Sequence, residues 1–353
     1  MGSCFLKRGT TYRVASQEAL DMHDKLPAGT YAVKFSMETG FYLEVIDSFP
    51  IPSRIYGSYS QDADRIWNTF SKRTGTTGVL LTGEKGSGKT LLSKLVSHNA
   101  LAQNVPTLVV NQPFSGEGFN TFLQDIEQRC IVIFDEFEKT YDKDDQEKIL
   151  TLLDGVFNST KLFILTSNDK WKIDVNMRNR PGRIFYLLEF RGVDEAFVRD
   201  YCHEKLNNKS YIQSICNLLT MFDAFNFDML QSLVEEMNRY EESPQDALKF
   251  LNIKPLMIER QTYKIKFFIE NSEIDEAKLE DTTVTISPMV SPVQVSWLTD
   301  KLDSDNEPEW ENVIFTPEDI KHISQGKYLY VQGNYKLSIS RIETDNFDYR
   351  KYL

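Results

Sequence analysis

Cysteine and histidine are scarce in this chain of 353 residues, with four of each. Cys4, Cys130, Cys202 and Cys216 form no CxxC pair, and His23, His98, His203 and His322 stand at no ligand spacing beside them. A thiolate or imidazole metal centre is therefore not expected, and the cysteines read as reduced, apolar-leaning thiols of a cytoplasmic protein. Long apolar runs are also missing. No stretch approaches the roughly 18 uninterrupted apolar residues of a membrane helix, and residues 1–25 mix Arg, Glu, Asp and Lys without an apolar signal core. The expectation is a protein with no membrane span and no secretion signal. Positive charge is in deficit, with 40 Lys and Arg against 52 Asp and Glu and a net charge of −12. That balance disfavours nucleic acid as a partner, because coating phosphate backbones needs broad basic surface.

What is present is the composition of folded domains, 41% hydrophobic and 26% charged. The length predicts two or three of them. Residues 31–37 and 41–47 are two aromatic and β-branched runs around Glu38-Thr-Gly40, which predicts a β-hairpin. Residues 1–52 thus read as a small N-terminal β element, closed by Pro50 and Pro52, and a helical spacing follows over 63–72. From 78 to about 190 the pattern becomes short apolar strands, at 79–81, 107–110, 130–134, 162–165 and 184–188, separated by helical segments. Near-continuous apolar runs belong to parallel strands covered on both faces, so residues 53–191 predict a doubly wound α/β domain. Four consecutive helices follow over 192–253, with Ser243-Pro244 as a start signal for the last. Residues 254–353 return to short strands and predict a β-rich domain. It carries 12 Lys or Arg against 18 Asp or Glu, a balance of −6 that is half of the chain's excess.

The chemistry is concentrated in the middle. Gly83, Glu84, Lys85, Gly86, Ser87, Gly88, Lys89 and Thr90 match G-x-x-x-x-G-K-[ST], follow an apolar strand and open a helix at Leu91. The glycines let backbone N–H groups turn inward around phosphates, and the helix adds the positive end of its dipole. Lys89 would neutralise the β and γ oxygens of ATP and Thr90 would hold Mg²⁺. An apolar run at 131–134 then ends in Asp135 and Glu136, which places both acids at the carboxyl edge of the sheet, where open α/β sheets bind ligands. Asp135 is expected to act on Mg²⁺ and Glu136 to polarise the attacking water. The next strand ends in Thr166-Ser167-Asn168, placing Asn168 toward the γ-phosphate or its water. Arg180 and Arg183 flank Pro-Gly in a turn; they suit charge stabilisation of a transferring phosphate, and taken alone they read as surface salt-bridging residues.

These elements, with Leu152-Leu-Asp-Gly155 between them, follow in the order of the AAA ATPase family, and the chain resembles that family over residues 53–253. Leu-Leu-Asp-Gly and Arg-Pro-Gly-Arg resemble the second region of homology of AAA proteins proper, which include katanin-like, proteasomal and mitochondrial Bcs-type ATPases. The resemblance implies a P-loop core with a helical lid and a homo-oligomeric ring, a hexamer, with nucleotide at each subunit boundary. Arg180 and Arg183 look like fingers acting on the neighbouring subunit, and Asn168 looks like sensor 1. Ile55, Tyr56 and Gly57 resemble the segment that packs on adenine. No Arg or Lys stands in residues 224–228, which open the third lid helix, so sensor 2 is missing, as it tends to be in AAA proteins that remodel other proteins. Phe114-Ser-Gly116 resembles the aromatic–x–Gly loop with which AAA unfoldases grip a polypeptide in the ring pore, with Phe119 as rival; the alternative is a core Phe opening the next helix.

The implied function is an ATP-hydrolysing ring that remodels, unfolds or disassembles a protein client of unidentified nature through pore-loop movement. A nucleic-acid translocase or loader would need basic pore residues, and 111–122 contains none. An ATP-gated assembly ring that threads nothing is the third alternative.

Overall fold

The apolar runs in the middle of the chain become strands with almost no exposed side chain, as their composition requires. The structure, a computed structural model, describes residues 3–8, 10–16, 21–154, 160–219, 222, 225–253, 260–302, 308–324 and 327–342. It divides into two units, Met1–Phe190 and Arg191–Leu353.

The first unit runs β1 (Ser3–Arg8), β2 (Thr11–Ser16), β3 (Thr30–Ser36), β4 (Gly40–Ile46), α1 (Tyr59–Lys72), β5 (Thr77–Gly83), α2 (Lys89–Leu101), β6 (Thr107–Val110), α3 (Glu117–Asp125), β7 (Cys130–Phe134), α4 (Phe137–Thr140), α5 (Lys143–Leu153), β8 (Lys161–Ser167), α6 (Val175–Arg178) and β9 (Tyr186–Phe190). Its seven-stranded sheet has the order β4-β3-β6-β7-β8-β5-β9. All neighbours pair in parallel except the edge hairpin β3–β4. One core layer lies on the α3–α5 side, around Phe119, Phe134, Phe137, Tyr141 and Phe163. The other lies under α1 and α2, where Ala63, Ile66 and Phe70 of α1 meet Leu92, Leu95 and Val96 of α2. The spacing of 63, 66 and 70 is that of one helix face, which explains why this segment folds as a helix against the sheet.

The hairpin expected at 31–47 forms, with Gly40 at φ +73° in its turn, but it is not a separate element. Thr30, Tyr31 and Ala32 of β3 pair with Thr107, Leu108 and Val109 of β6. β6 would otherwise present an unpaired edge of the parallel sheet, and the buried first half of β3 covers it. The strand expected at 184–188 begins later, at Tyr186. The hairpin β1–β2 was not anticipated, and these two strands form a sheet of their own.

In the second unit, α7 (Glu195–Lys205), α8 (Ile212–Leu219), α9 (Phe227–Tyr240) and the single turn α10 (Pro244–Ala247) occupy the predicted helical stretch. Asp194, Asn226 and Ser243 cap α7, α9 and α10 through side-chain oxygens that accept from backbone N–H groups. The β-rich part comprises β10 (Gln261–Ile269), β11 (Ser272–Glu273), β12 (Thr283–Ile286), β13 (Val293–Leu302), β14 (Pro308–Phe315), β15 (Ile320–Ser324), β16 (Lys327–Gln332) and β17 (Tyr335–Arg341). β13 and β14 form a two-stranded ribbon, and the others a six-stranded antiparallel sheet, around Phe267, Trp297, Phe315 and Tyr330. Gly155 of the Leu-Leu-Asp-Gly element, Ala224 at the head of the third lid helix and the 253/254 boundary's Lys254 lie outside the described residues. No helix among the described residues is long and apolar enough to cross a membrane.

Candidate nucleotide site

The sheet order decides the site. β8 lies between β7 and β5, so the segment after β8 stands between the acids that follow β7 and the loop that follows β5. Register aligns the three ends: Phe134 of β7 is level with Leu165, and Leu81 and Thr82 of β5 with Thr166 and Ser167.

The loop from Gly83 to Gly88 needs its glycines. Gly83, Gly86 and Gly88 have φ of +142°, +77° and +97°, conformations that side chains disfavour. A Cβ on Gly83 would lie 2.2 Å from the carbonyl oxygen of Phe190 on β9, and one on Gly88 2.6 Å from the hydroxyl of Tyr59. Tyr59, at the start of α1, donates its hydroxyl to the carbonyl of Ser87 at 2.9 Å and stacks on Phe190. The sequence carries no signal for this tyrosine, since 28 residues separate it from the carbonyl it holds.

Lys89 is buried, and its Nζ donates to the carbonyls of Gly83 at 2.6 Å and Glu84 at 2.7 Å. Burial pushes its pKa down, while the carboxylates of Glu138, Asp135 and Glu136 pull it back up. Ser87 is buried; Glu84, Lys85 and Thr90 are exposed and Leu91 is half-buried on α2.

Asp135 is pinned to the neighbouring strand. Thr166 Oγ1 donates to Asp135 Oδ1 at 2.6 Å and accepts from the backbone N–H of Glu136 at 2.9 Å. Glu136 has a left-handed backbone, φ +47° and ψ +48°, and launches α4. A non-glycine residue held in that region is a local cost that surrounding packing must offset, and such residues concentrate at functional sites. Its Oε1 accepts from Lys139 Nζ at 2.5 Å, which holds the carboxyl below its usual range. Asn168 is anchored to an acid that sequence reasoning passed over: its backbone N and its Nδ2 both donate to Glu138 Oε1, at 3.0 and 2.9 Å. The only sequence signal was a third acid two residues beyond Glu136.

The loop and acids suit a magnesium nucleotide. Thr90 hydroxyl and Asp135 carboxylate are hard oxygen donors of the kind Mg²⁺ takes, and Glu138 adds a buried carboxylate oxygen, Oε2, that no donor among the described residues satisfies.

Arg183 and Phe114 are placed differently from expectation, and Phe119 takes the alternative of a core Phe opening the next helix. Arg183 is turned inward: Nε and Nη2 donate to the two carboxylate oxygens of Asp154, the second at 2.7 Å, and Nη1 donates to the carbonyl of Asn176 at 2.8 Å. Arg180, three residues earlier, is exposed. Phe119 is a core side chain with no exposure, and Phe114 is half-buried, edge-on to Phe41 at 5.1 Å between ring centres. Neither aromatic projects as a grip, because the β3–β4 hairpin, unassigned to this sheet by the sequence, supplies the apolar surface that both pack on. Ile55 packs into the α1–α2 core, Tyr56 is buried with the Arg54 guanidinium 5.0 Å from its ring centre, and Gly57 turns the chain at φ +71°.

Comparison with known proteins places these residues in a family. The family described as "ATPase family associated with various cellular activities (AAA)" matches residues 79–191. A protein of Plasmodium falciparum (isolate 3D7), provisionally named a cell division cycle ATPase, is 24% identical over 253 residues, 65% of this chain. The chain spans about a fifth of that relative's length, 20%. The segment from the strand before the phosphate loop to the turn after β9, residues 79–191, is an AAA ATPase domain.

Proposed function

We propose that this chain is the ATP-hydrolysing subunit of a cytoplasmic homo-oligomeric AAA ring, a hexamer, that remodels or disassembles a protein partner. The observation that carries the reading is the convergence of Lys89, Asp135, Glu136 and Asn168 at the ends of three adjacent strands. In that arrangement the backbone N–H groups of residues 86–90 and Lys89 bind the phosphates, and Lys89 exchanges its loop carbonyls for phosphate oxygens. Thr90 and Asp135 would hold Mg²⁺, which supplies charge neutralisation across the phosphate oxygens when bound. Glu136 accepts a hydrogen bond from the attacking water and orients it, Asn168 holds the water or the γ-phosphate from the other side, and the exposed Arg180 reaches the neighbouring subunit's nucleotide.

One observation favours a second reading within this class. Phe114 packed on Phe41 supports a ring that changes shape with hydrolysis over one that grips a chain with this aromatic. The acidic balance and the absence of Lys and Arg from 111–122 argue against a nucleic-acid translocase.

Substituting Glu136→Gln should lower kcat by about a hundredfold or more while ATP binding persists, and ATP-bound rings should accumulate in sedimentation. A variant hydrolysing at the wild-type rate would overturn the assignment of Glu136. Protein captured on the trapped ring supports remodelling; nucleic acid alone removes it.

A further inference from the structure

Glu138 belongs to none of the sequence motifs, yet three observations converge on it. Its Oε1 takes both available donors of Asn168, backbone N at 3.0 Å and Nδ2 at 2.9 Å. Its Oε2 is buried without a hydrogen-bond partner among the described residues. It stands on α4, one turn that Glu136 opens and that the buried Phe137, stacked on Tyr141 at 4.7 Å, locks to the core. Glu138 therefore moves with the segment that carries the catalytic acid and grasps the end of the next strand.

The chemistry of the pair fixes more than a distance. A carboxylate only accepts hydrogen bonds, so the Asn168 amide must present its NH₂ to Glu138 and turn its carbonyl the other way. Asn168 also acts on Glu136 as a hydrogen-bond donor, one of the causes that, after Lys139, hold that carboxyl below its usual range. With an apolar side chain at 138 nothing would enforce that orientation, and an amide rotated by half a turn would set its carbonyl oxygen against the Glu136 carboxylate; a Gln would still present its oxygen, because the Asn168 backbone N–H can only donate.

We propose that Glu138 is a positioning residue for ATP hydrolysis: it fixes the Asn168 amide with its NH₂ toward Glu136, so that base and sensor are oriented as one unit. The proposal rests on the ATPase reading above. In that role Glu138 acts through Asn168.

Three single substitutions, one double variant and two readouts test it. Glu138→Gln keeps an acceptor oxygen at the same reach, and Glu138→Ala removes it. The first readout is amide hydrogen exchange of the peptide spanning residues 166–170 in nucleotide-free protein. Exchange at Asn168 should quicken in Glu138→Ala by about tenfold and stay within about threefold of wild type in Glu138→Gln, because the acceptor of its backbone N–H is removed in the first and only loses its charge in the second. The second is steady-state ATPase kinetics beside binding of a fluorescent ATP analogue. Glu138→Ala should lower kcat by about 10- to 100-fold with the analogue's Kd within about twofold of wild type. Glu138→Gln should recover most of kcat. Combining Glu138→Ala with Asn168→Ala should be no worse than Asn168→Ala alone, since both remove the same oriented amide. Multiplicative losses, unchanged exchange in Glu138→Ala, or a Glu138→Gln as impaired as Glu138→Ala would each overturn the proposal. If Glu138→Ala fails to fold by circular dichroism, Glu138→Met, which removes the acceptor and keeps the side chain's length, replaces it on the same criteria. A wild-type protein without Glu136-dependent hydrolysis, but with the exchange pattern as expected, would sink the ATPase reading and leave the contact standing.

Discussion

Arg183 and Asp154 form a two-pronged ion pair inside one chain, guanidinium against carboxylate, with the arginine side chain only 11% exposed. Asp154 ends α5 and Arg183 precedes β9, so the pair ties the acid of one second-region element to the arginine of the other. Bidentate geometry adds direction to the charge attraction.

This pairing makes Arg183 a stability residue first. The guanidinium holds the Asp154 carboxyl below its ordinary value of 3.8. A group with a depressed folded-state pKa contributes stability above its unfolded value and loses it as pH falls through the folded one. Asp154→Asn should therefore cost about 1 kcal/mol near pH 7, allowing for the third of the carboxylate that is exposed to solvent. Urea titrations should show that difference constant down to about pH 5 and vanishing below the carboxylate range.

Arg180 should behave in the opposite way. It is exposed, and its backbone carbonyl, not its side chain, accepts the turn's hydrogen bonds from Arg183 and Ile184. Arg180→Ala should leave thermal stability within about 0.5 kcal/mol of wild type and lower kcat by about 10³-fold, with wild-type activity rising steeply with protein concentration as rings form. Undiminished hydrolysis by Arg180→Ala would remove the trans-acting role.

The phosphate loop is pressed against Tyr59. Gly88→Ala meets both a positive φ and a hydroxyl 2.6 Å from the new Cβ, and should destabilise by about 1–3 kcal/mol with loss of nucleotide binding. Tyr59→Phe removes the hydrogen bond to the Ser87 carbonyl and should cost about 1 kcal/mol. Adding Tyr59→Ala to Gly88→Ala relieves the collision and leaves the backbone strain, so recovery should be partial by thermal denaturation.

Phe114 separates packing from gripping. Half-buried against Phe41, it should cost about 1–3 kcal/mol when replaced by Ala, and Phe41→Ala should destabilise the same region. Phe114→Ala with unchanged stability and abolished client processing would restore the grip role.

The parts of this protein that the sequence alone determined are those in which one short segment dictates its own conformation. Three glycines spaced for positive φ, an apolar run ending in two acids and periodic apolar faces are local signatures, and the phosphate loop, β7 with Asp135 and Glu136, and the helices at 195–247 follow from them. Tertiary structure decided everything that depends on which segments meet. Asn168 and Glu138, 30 residues apart, touch because β8 is inserted beside β7. The hairpin at 30–46 reads as an independent element until β6 offers an edge for β3 to pair with, and once it does, Phe41 draws Phe114 out of solvent. Arginine in a Pro-Gly turn can face a neighbour or its own chain with equal local ease, and only the position of Asp154 turned Arg183 inward and left Arg180 outside.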